Sequence, residues 1–200
     1  IPSGNFGNAY SAWFGRQHGL SIKNILCSTN VNDVLRRFIE SGSLKPKKTY
    51  PSIAPSMDIQ IPSSLERLIF DLSGSAEHFY NTFSTTGEAT LQDDALNTLK
   101  MIFSSETFND EDIKHKIGEL YKEFDYVFDP HTATSVAMAL NNGDNIPTVA
   151  VATASPEKFG TVINEVIDAY SIVSLDEKEE LIQLAVDKDI IATEIKNFFK

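Results

Sequence analysis

Apolar positions change period along this chain, and the changes mark its elements. From Asn8 to His18 the apolar residues Ala9, Ala12, Trp13 and Phe14 keep helical spacing, and Gly19 stops them. Ile25-Leu26-Cys27 is a short continuous apolar run ending at Ser28-Thr29, which predicts a buried strand. Asn32-Asp33 opens a second helix through Val34, Leu35, Phe38 and Ile39, closed by Gly42. This alternation of helix, strand and helix is the pattern of an α/β domain with a parallel sheet.

Prolines punctuate residues 46–62, which read as extended or looping. Ser63 or Ser64 is placed to cap a helix through Leu65, Leu68, Ile69 and Leu72. Between Ala76 and Phe124 the spacing predicts three or four amphipathic helices, with Phe79, Phe83, Leu96, Leu99, Ile102, Phe103, Ile113, Ile117 and Leu120 on their apolar faces. Tyr126-Val127-Phe128 reads as a strand, Thr132 to Leu140 as a helix, and Thr148 to Ala152 as a buried parallel strand. Pro156 starts a further helix through Phe159, Val162, Ile163 and Val166, and Asp176 to Lys200 reads as an acidic helical tail. The expected fold is α/β, a three-layer parallel-sheet core with an additional helical region.

Composition narrows the possible functions. The 200 residues are 42% apolar and 22% charged, ordinary for a globular chain. The net charge of −11 argues against a broad nucleic-acid surface. Charge is unevenly spread. Residues 1–67 hold eight basic and four acidic groups, residues 68–200 nine and twenty-four. The basic cluster of Arg36, Arg37, Lys45, Lys47 and Lys48 reads as a solvated edge before it reads as a phosphate funnel. The single cysteine, Cys27, excludes an internal disulfide and a thiol-based zinc site, and its apolar strand marks it as core. No apolar run reaches bilayer-spanning length, and Ile1 to Tyr10 lack signal-peptide character, so a soluble cytoplasmic protein without membrane or nucleic-acid partners is expected.

The segment Pro2-Ser3-Gly4-Asn5-Phe6-Gly7-Asn8 carries the candidate chemistry. Two glycines three apart permit tight curvature and leave backbone N–H groups uncovered, and the following helix aims its positive end at the same point. The spacing is neither the Walker loop nor the dinucleotide G-x-G-x-x-G, so nucleotide binding is not implied; on spacing alone an ordinary Asn-capped loop is equally good. Such a loop normally follows a strand, which here would precede Ile1. A fragment, a processed chain or part of a longer polypeptide is therefore expected.

Ser-Gly-Asn-Phe-Gly-Asn followed by a small-residue helix resembles the cofactor-phosphate loop of threonine synthases of the bacterial and fungal type, which are fold-type-II pyridoxal-phosphate enzymes. The likeness continues in order. Ser28-Thr29-Asn30-Val31-Asn32-Asp33-Val34-Leu35 is similar to the family's A-T-N-x-N-D-x-L, and residues 54–67 to its S-x-S-M-D-I-x-x-P-S-N-x-E-R. Asp129-Pro130-His131-Thr132-Ala133 and residues 152–159 resemble D-P-H-T-A and A-T-A-H-P-A-K-F. Ser64 replaces the family Asn and Ser155 the family His, two changes near the substrate.

The resemblance implies pyridoxal 5'-phosphate as cofactor, with Gly4, Asn5, Phe6 and Asn8 holding its phosphate through backbone N–H groups and Thr153 facing its pyridine nitrogen. Residues 1–75 would then be part of the cofactor-binding α/β domain, 76–125 a helical insertion or subdomain, and 126–200 the return to that domain with C-terminal helices. No metal is implied. The family's Schiff-base lysine lies upstream of the glycine loop and outside these residues, so no catalytic residue is assigned and the chain alone is expected to be inactive. The implied reaction of the whole enzyme converts O-phosphohomoserine and water to threonine and phosphate. The alternatives are a related phospholyase giving 2-ketobutyrate and a non-catalytic cofactor-binding fragment, and self-association through uncovered apolar surface is expected. His18, His78 and His115 read as surface residues, and Arg67 as an ion-pair partner of its helix before an anion site. His131 reads as an organiser of its turn, with a substrate role as the second reading.

Overall fold

β1 (Ile25–Thr29) is the element around which the others are placed. The computed structural model describes residues 1–143, 146–168 and 188–198. β1 pairs in parallel with β4 (Phe103–Thr107), in a register that sets Ile25 against Phe103 and Thr29 against Thr107. On its other edge Pro2 bridges Ser28 in parallel, the Ser3 N–H donating to Ser28 O at 2.9 Å and the Ser28 N–H to Ile1 O at 3.0 Å. Three extended segments therefore run side by side.

The alternation of a strand's side chains sends β1 into two cores. Ile25 and Cys27 enter a core with Phe6, Trp13, Leu35, Phe38, Leu68 and Leu99, while Leu26 packs against a second core built from Met57, Ile113, Ile117, Leu120, Ala133, Ala137 and Ile163. α1 (Gly7–Gln17), α2 (Val34–Ser41), α3 (Leu65–Ser73) and α5 (Asp93–Ile102) supply the first face. α6 (Asp110–Phe124), α7 (Pro130–Asn141) and the short α8 (Gly160–Asn164) supply the second. Helices on both faces of a parallel sheet make the three-layer α/β arrangement, with a small sheet in the middle. β2 (Ser43–Leu44) and β3 (Ala89–Thr90) form a separate antiparallel pair, joined through α4 (Glu77–Thr86) and its neighbours. α9 (Lys188–Phe198) lies within the expected tail, of which residues 176–187 and 199–200 lie outside the described residues.

Five expectations need correction. Phe103 does not continue α5: the helix ends at Ile102 and residues 103–107 form β4, because β1 offers backbone partners and Phe103 seats its ring beside Phe6 and Trp13. Tyr126–Phe128 is not a strand, since no ladder partner meets it among the described residues; Val127 is buried while Tyr126 is exposed. Thr148–Ala152 finds no strand partner among the described residues and is not buried, and Val149 is 82% exposed. A cavity of about 880 Å³ lies between this segment and Ile1, Ile25 and Leu26, so among the described residues an apolar run with strand propensity has no backbone alongside to bond. Pro156 starts a 3-10 turn, Pro156–Phe159, and only Gly160–Asn164 is α-helical. Ser64 does occupy the position before α3, yet its side chain makes no capping bond; Ser63 instead donates its N–H and hydroxyl to Asn5 Oδ1.

Candidate functional site

The glycine loop leaves the sheet at Ser3 and turns directly into α1. Phe6, the residue before the helix, is left-handed, with φ 71° and ψ 5°. That conformation costs a non-glycine residue roughly 1–2 kcal/mol, and full burial of the ring, about 1.5–3 kcal/mol, outweighs it: Phe6 is 1% exposed, its ring 5.7 Å from that of Phe103. A left-handed residue followed by a right-handed one turns successive N–H groups to the same side, forming a concave anion nest. No side chain caps α1, so the N–H groups of its first turn face outward without an acceptor from a capping residue.

Gly4 is required by contact, not by conformation. A Cβ there would lie 2.6 Å from Ser56 O and 2.8 Å from Met57 Cα, both backbone atoms. Asn5 is tied to the start of α3: its Oδ1 accepts from Ser63 N at 2.6 Å and its carbonyl from Ser64 N at 3.2 Å. With the oxygen engaged, Asn5 presents its amide NH₂ as a donor, and Asn8 is exposed on the first turn of α1.

The segments around this loop are joined by two carboxylates, the half-buried Asp58 and the buried Asp129. Asp58 Oδ1 accepts from Asn30 Nδ2 at 2.6 Å, Asn32 Nδ2 at 2.9 Å and Ser52 Oγ at 2.7 Å, and Oδ2 accepts from Ser52 N at 3.0 Å. Asp129, 1% exposed, precedes α7 and accepts on Oδ1 from the His131 and Thr132 N–H groups and from His131 Nδ1, and on Oδ2 from the Thr132 hydroxyl. Burial raises the Asp129 carboxyl, but these bonds outweigh it and hold the group below the ordinary carboxylate value. His131 Nε2 accepts the Ser56 N–H at 3.2 Å, and Thr132 Oγ1 accepts the Thr153 N–H at 3.4 Å. Thr153 is exposed, and among the described residues its hydroxyl makes no hydrogen bond. The loop and Thr153 are thus linked through the 129–132 turn.

Other chemistry-bearing residues have structural work. Cys27 is fully buried, which pushes its thiol up to about 11 and leaves no thiolate at neutral pH. His18, His78 and His115 are exposed. Arg67 lies over the Tyr10 ring at 4.6 Å, and among the described residues no ion pair joins it to its own helix. In the basic cluster Arg36 and Arg37 bond Asp33 at 2.6 and 2.8 Å, and Lys45 bonds Glu88 at 2.7 Å. Among the described residues no three His, Cys, Asp or Glu side chains are grouped to hold a metal, and no helix is long and apolar enough to cross a membrane.

No family model matches the chain. It is similar to the threonine synthase of Pseudomonas aeruginosa, 32% identical over 82% of this chain and 36% of that protein, and to that of Corynebacterium glutamicum, 36% identical over 84% and 37%. The PLP-bound threonine synthase structure from Brucella melitensis superposes with a TM-score of 0.84 at 26% identity, covering 98% of this chain and 45% of that one. The chain is a threonine-synthase homologue. It spans less than half the length of these threonine synthases.

Against the threonine-synthase pattern, Gly4, Asn5, Phe6 and Asn8 lie on one turn at the positive end of α1, and Thr153 bonds the 129–132 turn through its N–H. Sequence reading of the motifs did not anticipate what joins them. The A-T-N-like and S-x-S-M-D-I-like segments meet at Asp58, and the D-P-H-T-A-like segment touches both Ser56 and Thr153. Asp, Ser and Asn recurring inside separate motifs were the available signal, since side chains of that kind bond backbone across turns. Of the two departures from the threonine-synthase pattern, Ser155 donates its hydroxyl to Glu157 at 3.1 Å, and Ser64 Oγ would lie 3.7 Å from a Cβ on Gly7.

Proposed function

We propose that this chain is the cofactor-phosphate-binding portion, C-terminal in the whole polypeptide, of a cytoplasmic pyridoxal-phosphate-dependent threonine synthase that converts O-phosphohomoserine and water to threonine and phosphate. The observation that carries this reading is the uncapped α1 N-terminus behind a left-handed Phe6 and a glycine pressed against backbone. Neutral N–H donors at a positive helix end suit a phosphate dianion, and α1 is long enough to present a developed dipole. Gly4, Asn5, Phe6 and Asn8 would hold the phosphate, and Thr153 would offer its hydroxyl to the pyridine nitrogen. The bound cofactor supplies an electron sink that the amino acids lack. A hydroxyl at the ring nitrogen does not hold a proton there as a carboxylate would, so Thr153 keeps electron withdrawal moderate. The helix end bears the phosphate charge through backbone donors, Arg67 lies over the Tyr10 ring on the same helix, and Asn5 fixes the loop to α3.

A second reading is favoured by Ser64 and Ser155, which stand where the family pattern has Asn and His: a phospholyase releasing 2-ketobutyrate and phosphate. The test supplies pyridoxal phosphate and O-phosphohomoserine to the 200-residue chain and to the polypeptide extended through its flanking coding sequence, with products identified by mass. Threonine and phosphate from the extended form alone support the proposal. 2-Ketobutyrate moves it to the second reading. Absence of turnover from the extended form overturns both.

A further inference from the structure

We propose that the 129–132 turn is a positioning brace that sets the glycine loop and Thr153 in register, with His131 holding the first and Thr132 the second; this deepens the cofactor reading above and rests on it. His131 is 2% exposed and its two ring nitrogens have different partners. Nδ1 lies 3.0 Å from Asp129 Oδ1, an acceptor, while Nε2 lies 3.2 Å from Ser56 N, a donor. Only the tautomer carrying its proton on Nδ1 satisfies both contacts. The Asp129 carboxylate selects that tautomer and so turns Nε2 into an acceptor aimed at the Ser56 peptide. The carbonyl of Ser56 is the atom nearest to where a Gly4 Cβ would stand, at 2.6 Å. That N–H and this carbonyl belong to neighbouring peptide groups joined at the Ser56 Cα, so holding the first restrains the floor that the second lays beneath the loop.

The second arm starts from the same carboxylate. The Thr132 hydroxyl has one proton, which it donates to Asp129 Oδ2, and this leaves its lone pairs toward the Thr153 N–H at 3.4 Å. Pro130 at the first position of α7 presets the turn, and the Phe159 ring, 5.0 Å from that of His131, closes over it. Ser28 Oγ and Thr134 Oγ1, 2.7 Å apart, tie the N-terminal half of α7 back to β1, next to the bridge at Pro2. The brace is thus anchored on the sheet from which the loop springs. His131 and Thr132 touch protein, so they act as positioning residues.

The two arms can be cut separately in the isotope-labelled 200-residue chain without ligand. His131→Asn keeps a donor for Asp129 but cannot reach Ser56; His131→Gln places an amide oxygen near the Nε2 position. The first should speed amide exchange at Ser56 roughly tenfold and shift the Gly4 resonance while leaving Thr153 in place, and the second should restore both. Thr132→Val should shift Thr153 alone, and Thr132→Ser should restore it. Nitrogen-detected spectra of the wild type should show His131 protonated on Nδ1. Unchanged Ser56 and Gly4 signals in His131→Asn, or a proton on Nε2 in the wild type, overturn the brace. Pyridoxal phosphate is then titrated into each variant. Weakened binding in His131→Asn, recovered in His131→Gln, supports the brace acting on the cofactor site. Failure of the wild type to bind overturns the cofactor reading, while the ligand-free signals still decide for or against the brace.

Discussion

Replacing Gly4 by alanine isolates steric contact from backbone conformation. Gly4 does not have a positive φ, so alanine meets no conformational penalty there; what it meets is Ser56 O at 2.6 Å and Met57 Cα at 2.8 Å. Ordinary contact begins near 3.4 Å, so one of the two backbones must retreat by about 0.8 Å. Neither side yields readily. Met57 is 2% exposed in the second core, Ser56 is bonded to His131, and Gly4 is held between Ser3 on the sheet and Asn5 on α3. Overpacking of this kind costs about 1–3 kcal/mol. Because the displaced atoms form the proposed phosphate cradle, a loss of about 1.4 kcal/mol in binding, a tenfold weaker complex, is expected as well. Gly7→Ala is the matched control: its Cβ would meet only Ser64 Oγ at 3.7 Å, and it sits within α1. That substitution should be neutral or stabilising by roughly 0.5–1 kcal/mol. Urea denaturation and titration with pyridoxal phosphate measure both effects. Wild-type stability in Gly4→Ala would refute the reasoning, as would a larger loss in Gly7→Ala than in Gly4→Ala.

Three further outcomes follow from the same geometry. Asp129 has a folded pKa below its ordinary 3.8, so its contribution is fully present above that value and is lost as pH falls through the depressed one; the stability gap between wild type and Asp129→Asn should stay constant from pH 7 to pH 5 and close below about pH 4. Cys27, with its thiol at about 11, should react with a disulfide reagent at pH 7 only as fast as the chain unfolds, and rapid labelling of folded protein would contradict its burial. Val149→Lys should reduce self-association in light scattering and binding of an apolar dye, since Val149 is 82% exposed beside the cavity at the sheet edge; unchanged association would place the sticky surface elsewhere.

The apolar period reported the helices well because each buries one face: α1, α2, α3, α6 and α7 fall where spacing puts them. Strands were legible only where a partner exists within the chain. Ile25–Thr29 is paired on both edges, whereas 148–152 has the same apolar character and no partner among the described residues. β4 went unread because Phe103 completes a helical spacing, and only its seat beside Phe6 and Trp13 shows that the chain has straightened. The phosphate-loop motif was visible as a motif, yet the reason for Gly4 was not: it lies in the backbone of residues 56–57, about fifty positions away. His131 could be read as the organiser of its turn from Asp-Pro-His alone; its reach to Ser56 is a tertiary fact.

The central claim is that the turn from Gly4 to Asn8 at the head of α1 is a phosphate cradle for pyridoxal 5'-phosphate. Amide spectra of the labelled chain, titrated in parallel with pyridoxal phosphate, inorganic phosphate and phosphate-free pyridoxal, test it most directly. Progressive shifts at Gly4, Asn5, Phe6 and Asn8 with the two phosphate-bearing ligands, and none at those positions with pyridoxal, are the predicted result. Equal shifts with pyridoxal, or phosphate-dependent shifts confined to residues away from this turn, would contradict it.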